Sequence, residues 1–307
     1  MKPSSKVLVL TGPTGVGKTR LAVTVAEKFG AEVISADSRQ VYKYIDIGTA
    51  KPSLEERRRV PHHLVDFLEL EQKYSAAAFA RDARSKMDEL ESQGGRFMVV
   101  GGTGLYIKAL IEGLSPIPPV DPKIRMQLKR QAKELGLRAL YQRLSIIDPR
   151  TAARLSPNDR CRILRALEVF QASGRPISEW QQHPRIKDGR DYRLVILNKQ
   201  RETLYRHLDD RVERMIDAGL VAEVRTLMDK GFGPALERIR AVGYGEVMSY
   251  LNGESDLSTA VALIKRNTRR FAKRQLTWFR GLSAAEWLDV SDFHSAVSQI
   301  SSVFERL

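Results

Sequence analysis

The chain has 307 residues, with 51 Lys and Arg against 37 Asp and Glu and a formal net charge of +14. Its 42% apolar and 29% charged content is globular, and its one cysteine, Cys161, excludes a disulfide framework or a multi-cysteine zinc site and fits a reducing, cytoplasmic setting. Its longest apolar runs, such as Val7–Leu10, are far too short for a membrane span or a secretion signal, so the basic excess points to an anionic partner, nucleic acid or a membrane surface.

Lys6–Thr11 (KVLVLT) is a short β-branched run that reads as a buried strand, followed by a glycine-rich turn and a helical pattern over Thr19–Phe29. Glu32–Ala36 reads as a second strand. Ala76–Ser92 has helical spacing stopped by Gly94 and Gly95, and Phe97–Val100 is a third strand closed by Gly101 and Gly102, with a helix starting near Thr103. Four prolines within Ser115–Pro122 mark a boundary. From there to about residue 185 the pattern is helical and basic. Tyr192–Leu197 reads as a return strand, and the rest is mostly helical. Strands alternating with helices imply an α/β fold with a parallel sheet. The expected layout is a P-loop NTPase-like core, 1–114 plus 191–307, interrupted by a helical insertion, 115–190.

The charge is unevenly placed. Residues 1–114 carry a net +3, residues 115–190 a net +9, and residues 191–307 a net +2. In the last segment, 264–280 holds seven basic residues and no acid. Wound as a helix at ~100° per residue, this stretch puts Lys265, Arg266, Arg269, Arg270, Lys273, Arg274 and Arg280 within one half-circle, with Ile264, Phe271, Ala272, Trp278 and Phe279 opposite. One face suits the core and the other phosphates. The large aromatics favour docking on the domain over a membrane-surface helix, so no membrane partner is expected.

Gly12-Pro13-Thr14-Gly15-Val16-Gly17-Lys18-Thr19 fits G-x-x-x-x-G-K-[ST] between a strand and a helix, the context that motif needs. Backbone N–H groups and the helix N-terminus would cradle a di- or triphosphate, Lys18 would bind a terminal phosphate, and Thr19 could ligate Mg²⁺. Binding of this kind does not itself imply phosphoryl transfer, because the cradle holds any pyrophosphate leaving group. The third strand also ends in Gly101-Gly102-Thr103-Gly104, where a P-loop NTPase would place a Mg²⁺-binding Asp. The carboxylate best placed beside the loop is Asp37, and its residue chemistry alone allows a general base, a metal ligand or a helix cap.

Several blocks together resemble the tRNA dimethylallyltransferases, also called tRNA isopentenyltransferases. They are Gly12–Thr19, Ile34–Tyr42 (ISADSRQVY), Asp46–Pro52 (DIGTAKP), Pro61–Asp66 (PHHLVD), Gly101–Tyr106 (GGTGLY), Asn158–Glu168 (NDRCRILRALE), Ala241–Glu246 (AVGYGE) and Thr268–Arg280 (TRRFAKRQLTWFR). They run in the family's order over nearly the whole chain. The resemblance implies transfer of a dimethylallyl group from dimethylallyl diphosphate to N6 of the adenosine 3′-adjacent to the anticodon, with Mg²⁺ required and diphosphate released. It implies that the phosphate loop holds the donor's diphosphate, that Asp37 is the general base, and that Thr103 lies by the reacting amine and the tRNA. It further implies tRNA contacts from Asp37, Ser38, Arg39 and Gln40, from Arg125, and from Cys161, Arg162, Ile163, Leu164 and Arg165. The remaining implied contacts are Arg240, Ala241, Val242, Gly243, Tyr244 and Gly245, and Lys273, Arg274, Gln275, Leu276, Thr277, Trp278, Phe279 and Arg280. The target adenine has to leave its stack to reach the donor, which argues for flipping into a channel.

Two positions depart from the family pattern. Gly15 stands where Ala or another small residue is common, read here as added flexibility only, and Gly245 stands where a basic residue is frequent. The chain lacks the Cys/His zinc-finger extension of eukaryotic members, which favours a bacterial type. His62 and His63 lack the spaced partners of a metal site and read as structural. Trp180, Trp278 and Trp287 read as core, and one of Arg201, Arg211, Arg214 and Arg225 is expected to bind the diphosphate. No exposed heptad is visible, so the default is a monomer. The competing functions are an adenylate isopentenyltransferase, a P-loop nucleotide kinase with an Arg-rich lid, and a non-enzymatic RNA-binding module. The first would not need the basic insertion, and the last would leave the phosphate loop and Asp37 unexplained.

Overall fold

The computed structural model describes residues 6–183, 185, 187–282 and 285–307. Two compact units divide the chain, one formed by residues 1–111 and 188–307 and the other by residues 112–187.

The first unit is built on a parallel sheet of six strands among the described residues: β1 (Lys6–Thr11), β2 (Ala31–Ser35), β3 (His62–His63), β4 (Arg96–Gly101), β5 (Asp191–Asn198) and β6 (Glu286–Asp289). Their spatial order is β3-β2-β4-β1-β5-β6. The four strands expected from sequence are present, each within one residue at either end. The edge strands β3 and β6 were not foreseen, because two and four residues are too few to show an alternation.

Alternation along β1 explains the layers. Leu8 and Leu10 face one side and pack with helices Lys18–Phe29 and Phe293–Glu305, together with Leu204 and Leu208. Val7 and Val9 face the other side and pack with helices Ala76–Ser92 and Gly104–Ile111. Burying both faces of a parallel sheet requires helices on both sides. Because β1 and the adjacent β4 feed helices on opposite faces, a crevice opens between their carboxyl ends, the place where ligands bind in open α/β sheets. Helices Arg201–Asp217, Leu220–Asp229, Gly233–Ile239 and Tyr244–Leu251 close a further apolar cluster over the segment that follows β2.

The second unit is helical, and its core centres on Leu128, Leu140, Leu144, Ile163 and Leu167, all at most 2% exposed. Asp148 organises it by accepting hydrogen bonds from Thr151 N–H, Thr151 Oγ1 and Ser178 N–H. No helix among the described residues is long and apolar enough to cross a membrane.

Candidate active site

The phosphate loop leaves β1 at Gly12 and enters helix Lys18–Phe29 through Gly17, whose φ of 107° is in the left-handed region. Gly12 lies against β5: a Cβ there would sit 2.6 Å from the Leu197 carbonyl oxygen. Gly15 does more than add flexibility. Its φ is 75°, and a Cβ would meet Leu208 Cδ2 at 2.4 Å, so the buried Leu208 side chain would have to give way.

Lys18 is folded back over this loop, its ammonium donating to the Gly12 and Pro13 carbonyls, both at 2.9 Å. Burial pushes its pKa down to about 8, against an upward pull from Asp37 and with a further downward push from Arg211. The Arg211 guanidinium is held below its ordinary value by burial, while Asp37 acts in the opposite direction and Arg214 adds to the lowering. Lys18, Asp37 and Arg211 therefore form one electrostatic group. Among the four candidate arginines, Arg211 is the one whose charge acts on Lys18. Arg201 lies over the Tyr205 ring and Arg225 is exposed, whereas Arg211 and Arg214 line a cavity of about 450 Å³ with Lys51, Arg57, Ile47 and Met215.

Asp37 stands two residues beyond β2. Its Oδ1 accepts from the Arg39 N–H at 2.8 Å and the Gln40 N–H at 3.3 Å, so the carboxylate caps a turn, not a helix. Its Oδ2 accepts no hydrogen bond among the described residues. Thr103 sits across the crevice at the end of β4. Its N–H donates to the Ala36 carbonyl at 3.1 Å, and its Oγ1 accepts from Ser38 N–H at 2.9 Å and donates to Ser38 Oγ at 3.2 Å. The phosphate loop, Asp37–Gln40 and Thr103 thus meet at the carboxyl ends of β1, β2 and β4.

Gln275 joins the two sides of the crevice. Its Oε1 accepts from the Thr14 N–H and its Nε2 donates to the Gly102 carbonyl, both at 2.8 Å. Gly102 leaves the room this requires, since a Cβ there would lie 2.7 Å from Gln275 Nε2. Among the residues expected to touch RNA, Gln275 is therefore already committed to the phosphate loop.

Other expected contacts divide by exposure. Tyr244, Phe279 and Ile163 are fully buried, Leu164 and Ala241 nearly so, and their side chains belong to the apolar clusters. Arg240, at a left-handed φ of 53° after helix Gly233–Ile239, and Gly245 are exposed, as are Lys273, Arg274, Thr277 and Arg280. Leu276 and Val242 are half-buried. Trp278 and Trp287 are not core as expected: they are 41% and 40% exposed, and Phe271 is 38% exposed. Trp180 alone of the three tryptophans packs on a core, that of the second unit.

Cys161, Arg162, Arg165 and Arg125 belong to the second unit. Arg125 makes a bidentate pair with the buried Glu168, at 2.8 and 2.9 Å, which Arg165 joins at 3.5 Å, and Arg162 pairs with Asp159. Cys161 is exposed. In the first unit, His62 Nδ1 bonds the Val60 carbonyl and His63 Nε2 bonds Glu32, which matches the structural reading of that pair.

No three His, Cys, Asp or Glu among the described residues come together as a metal cage. Mg²⁺ held mainly by substrate phosphates and water needs only one or two protein oxygens. The Thr19 hydroxyl, in the first turn of helix Lys18–Phe29, makes no hydrogen bond among the described residues and fits that need.

The family model described as IPP transferase matches residues 40–282. A tRNA dimethylallyltransferase 2 of Geotalea uraniireducens is 47% identical over 293 residues, covering 95% of this chain and 94% of that protein. The tRNA dimethylallyltransferase of Geobacter sulfurreducens is 46% identical over 98% of this chain and 97% of its own length. A tRNA isopentenylpyrophosphate transferase crystal structure from Bacillus halodurans superposes with a TM-score of 0.71 at 36% identity, covering 98% of this chain and 96% of that one. A eukaryotic dimethylallyltransferase captured acting on tRNA superposes with a TM-score of 0.81 at 29% identity, covering 97% of this chain and 78% of that one. With these blocks in this order, and with full-length relatives on both sequence and structure, the chain belongs to the IPP transferase family.

Proposed function

We propose that this protein transfers a dimethylallyl group from dimethylallyl diphosphate to N6 of the adenosine 3′-adjacent to the anticodon of tRNA. The observation that carries the reading is the carboxylate of Asp37, one oxygen spent on a turn and the other unengaged, set in one electrostatic group with Lys18 and Arg211. The allylic C–O bond breaks, a C–N bond forms to N6, diphosphate leaves with the bonding pair, and the N6 proton passes to Asp37 Oδ2. An exocyclic amine is a weak nucleophile, so a positioned base matters. Lys18, Arg211 and the N–H groups of Gly15, Val16, Gly17, Lys18 and Thr19 stabilise charge developing on the leaving diphosphate. Thr19, with the diphosphate's own oxygens, would hold Mg²⁺, which supplies further Lewis-acid stabilisation of that charge.

Thr103, tied to Ser38, forms the opposite wall where the flipped adenine enters, with Asp37–Gln40 reading it. The exposed residues Arg240, Gly245, Lys273, Arg274, Thr277, Trp278 and Arg280, and the second unit through Cys161, Arg162 and Arg165, contact the anticodon stem-loop. The enzyme works in the cytoplasm as a monomer.

The test is label transfer from dimethylallyl diphosphate in the presence of unmodified tRNA, of AMP, or of neither. Label is expected in tRNA only, with no ATP consumed. Transfer to AMP alone, or phosphate release from ATP without prenylation, would overturn the assignment.

A further inference from the structure

We propose that Glu223 is a positioning residue for this transfer, fixing the backbone of loop 46–50 and, through it, the segment that carries Asp37. The inference rests on the function proposed above.

Glu223 lies in the first turn of helix Leu220–Asp229, far in sequence from the loop it serves. Its Oε2 accepts from the Asp46 N–H at 3.0 Å and the Ile47 N–H at 2.9 Å. Its Oε1 accepts from the Tyr244 hydroxyl at 2.6 Å, with the Gly48 N–H at 3.5 Å. Four donors converge on one carboxylate, an acceptor-only group with sites for about four of them. The fully buried Tyr244 ring also presses on the loop from above, where a Cβ on Gly48 would lie 2.4 Å from Tyr244 Cε2.

From the loop the path runs to the reacting centre in two steps. The Thr49 and Ala50 carbonyls accept from Gln40 Nε2 at 3.3 and 3.0 Å, and the Gln40 N–H donates to Asp37 Oδ1 at 3.3 Å. Ile47 and Ala50 also line the cavity that holds Arg211. The loop does not hold this shape by itself. Ala50 in the loop and Tyr44 just before it have φ values of 45° and 67°, a left-handed conformation that L-residues keep only where the surroundings over-determine it. Glu223 supplies that constraint from one end. Lys51, with its side chain 2% exposed and its ammonium bonded to the Tyr42 carbonyl and Asp66, supplies it from the other.

The test uses the full chain with tRNA saturating. A displacement of about 1 Å far from the chemistry can cost up to ~100-fold in rate. Glu223→Ala is therefore expected to lower kcat by about ten- to a hundredfold, with tRNA Kd within about twofold of wild type and faster amide exchange at Ile47 and Gly48. Glu223→Gln keeps one acceptor for the Asp46 and Ile47 N–H groups and is expected to recover kcat part of the way. If Glu223→Ala does not fold, Glu223→Gln carries the test alone through its smaller kcat loss and its exchange rates. Wild-type kcat in Glu223→Gln together with wild-type exchange would overturn the proposal, as would a kcat loss matched by an equal loss of tRNA affinity. Wild-type protein that moves no label to tRNA would instead sink the function proposed above, which keeps the two failures apart.

Discussion

Lys18 spends two of its three ammonium donors on carbonyls of its own loop, at 2.9 Å each. An incoming diphosphate must compete for that ammonium, and its value as a phosphate ligand depends on its being charged. Because burial holds its pKa at about 8, against an ordinary 10.5, the free enzyme loses the charge as pH rises through about 8. On the function proposed above, the protonated ammonium holds the donor below that pH, and the neutral amine above it attracts the diphosphate little. The profile of kcat/KM for dimethylallyl diphosphate reports the free enzyme, so it should fall on the alkaline side with a midpoint near pH 8. A profile flat to pH 10 would show that Lys18 does not bind the donor as a cation. Bound diphosphate favours the protonated form, so the midpoint in kcat should lie higher than in kcat/KM.

Helix Leu257–Phe279 is the element in which sequence and structure differ most instructively. Its basic stripe and apolar stripe are legible from spacing alone, and Ile264, Ala272 and Phe279 are buried as expected. Gln275 lies on the apolar side of that wheel, and nothing in its residue type says that its amide reaches the phosphate loop and Gly102. Removing it leaves the Thr14 N–H and the Gly102 carbonyl without their partner, at about 1–3 kcal/mol for a buried group so stranded. Gln275→Ala should therefore lower unfolding stability by that order and weaken donor binding, while Thr277→Ala on the exposed side of the same turn stays within about 0.5 kcal/mol of wild type. Denaturant unfolding together with a donor titration checks both. Unchanged stability with weakened tRNA binding would instead make Gln275 an RNA contact. The same contrast explains what sequence could and could not reveal. β1, β2, β4 and β5 are short apolar runs buried on both faces, and the phosphate loop and Asp37 lie at their ends, so the core and the candidate site were both legible. Trp278 and Phe271 fall on the apolar half of the wheel yet are exposed, because periodicity gives a direction and not the depth of the neighbouring layer. Arg211 was one of four equivalent arginines until folding placed it beside Asp37 and Lys18.

Over the whole molecule the net charge of +14 is a poor guide to what is available for RNA, because many basic side chains are already neutralised. On helix Leu257–Phe279, Lys265 pairs with Glu213 and Arg269 with Asp209, whereas Arg266, Arg270, Lys273 and Arg274 have no acidic partner among the described residues. In the second unit Arg125 and Arg165 share Glu168 and Arg162 holds Asp159, while Arg138, Arg150, Arg154 and Arg160 likewise lack an acidic partner among the described residues. A cation that meets a phosphate releases a counterion, so each one contributes about −0.7 to −0.9 to the slope of log K against log salt. A cation already matched by a carboxylate contributes little. Measured from about 50 to 200 mM salt, tRNA binding by Arg270→Ala should weaken and its slope should become shallower by about 1. Arg269→Ala removes the same formal charge one residue earlier, but it only frees Asp209, so its slope should match wild type. Equal changes in the two variants would mean that binding follows overall charge alone; a change confined to Arg270→Ala would mean that the unpaired face of this helix meets the RNA backbone.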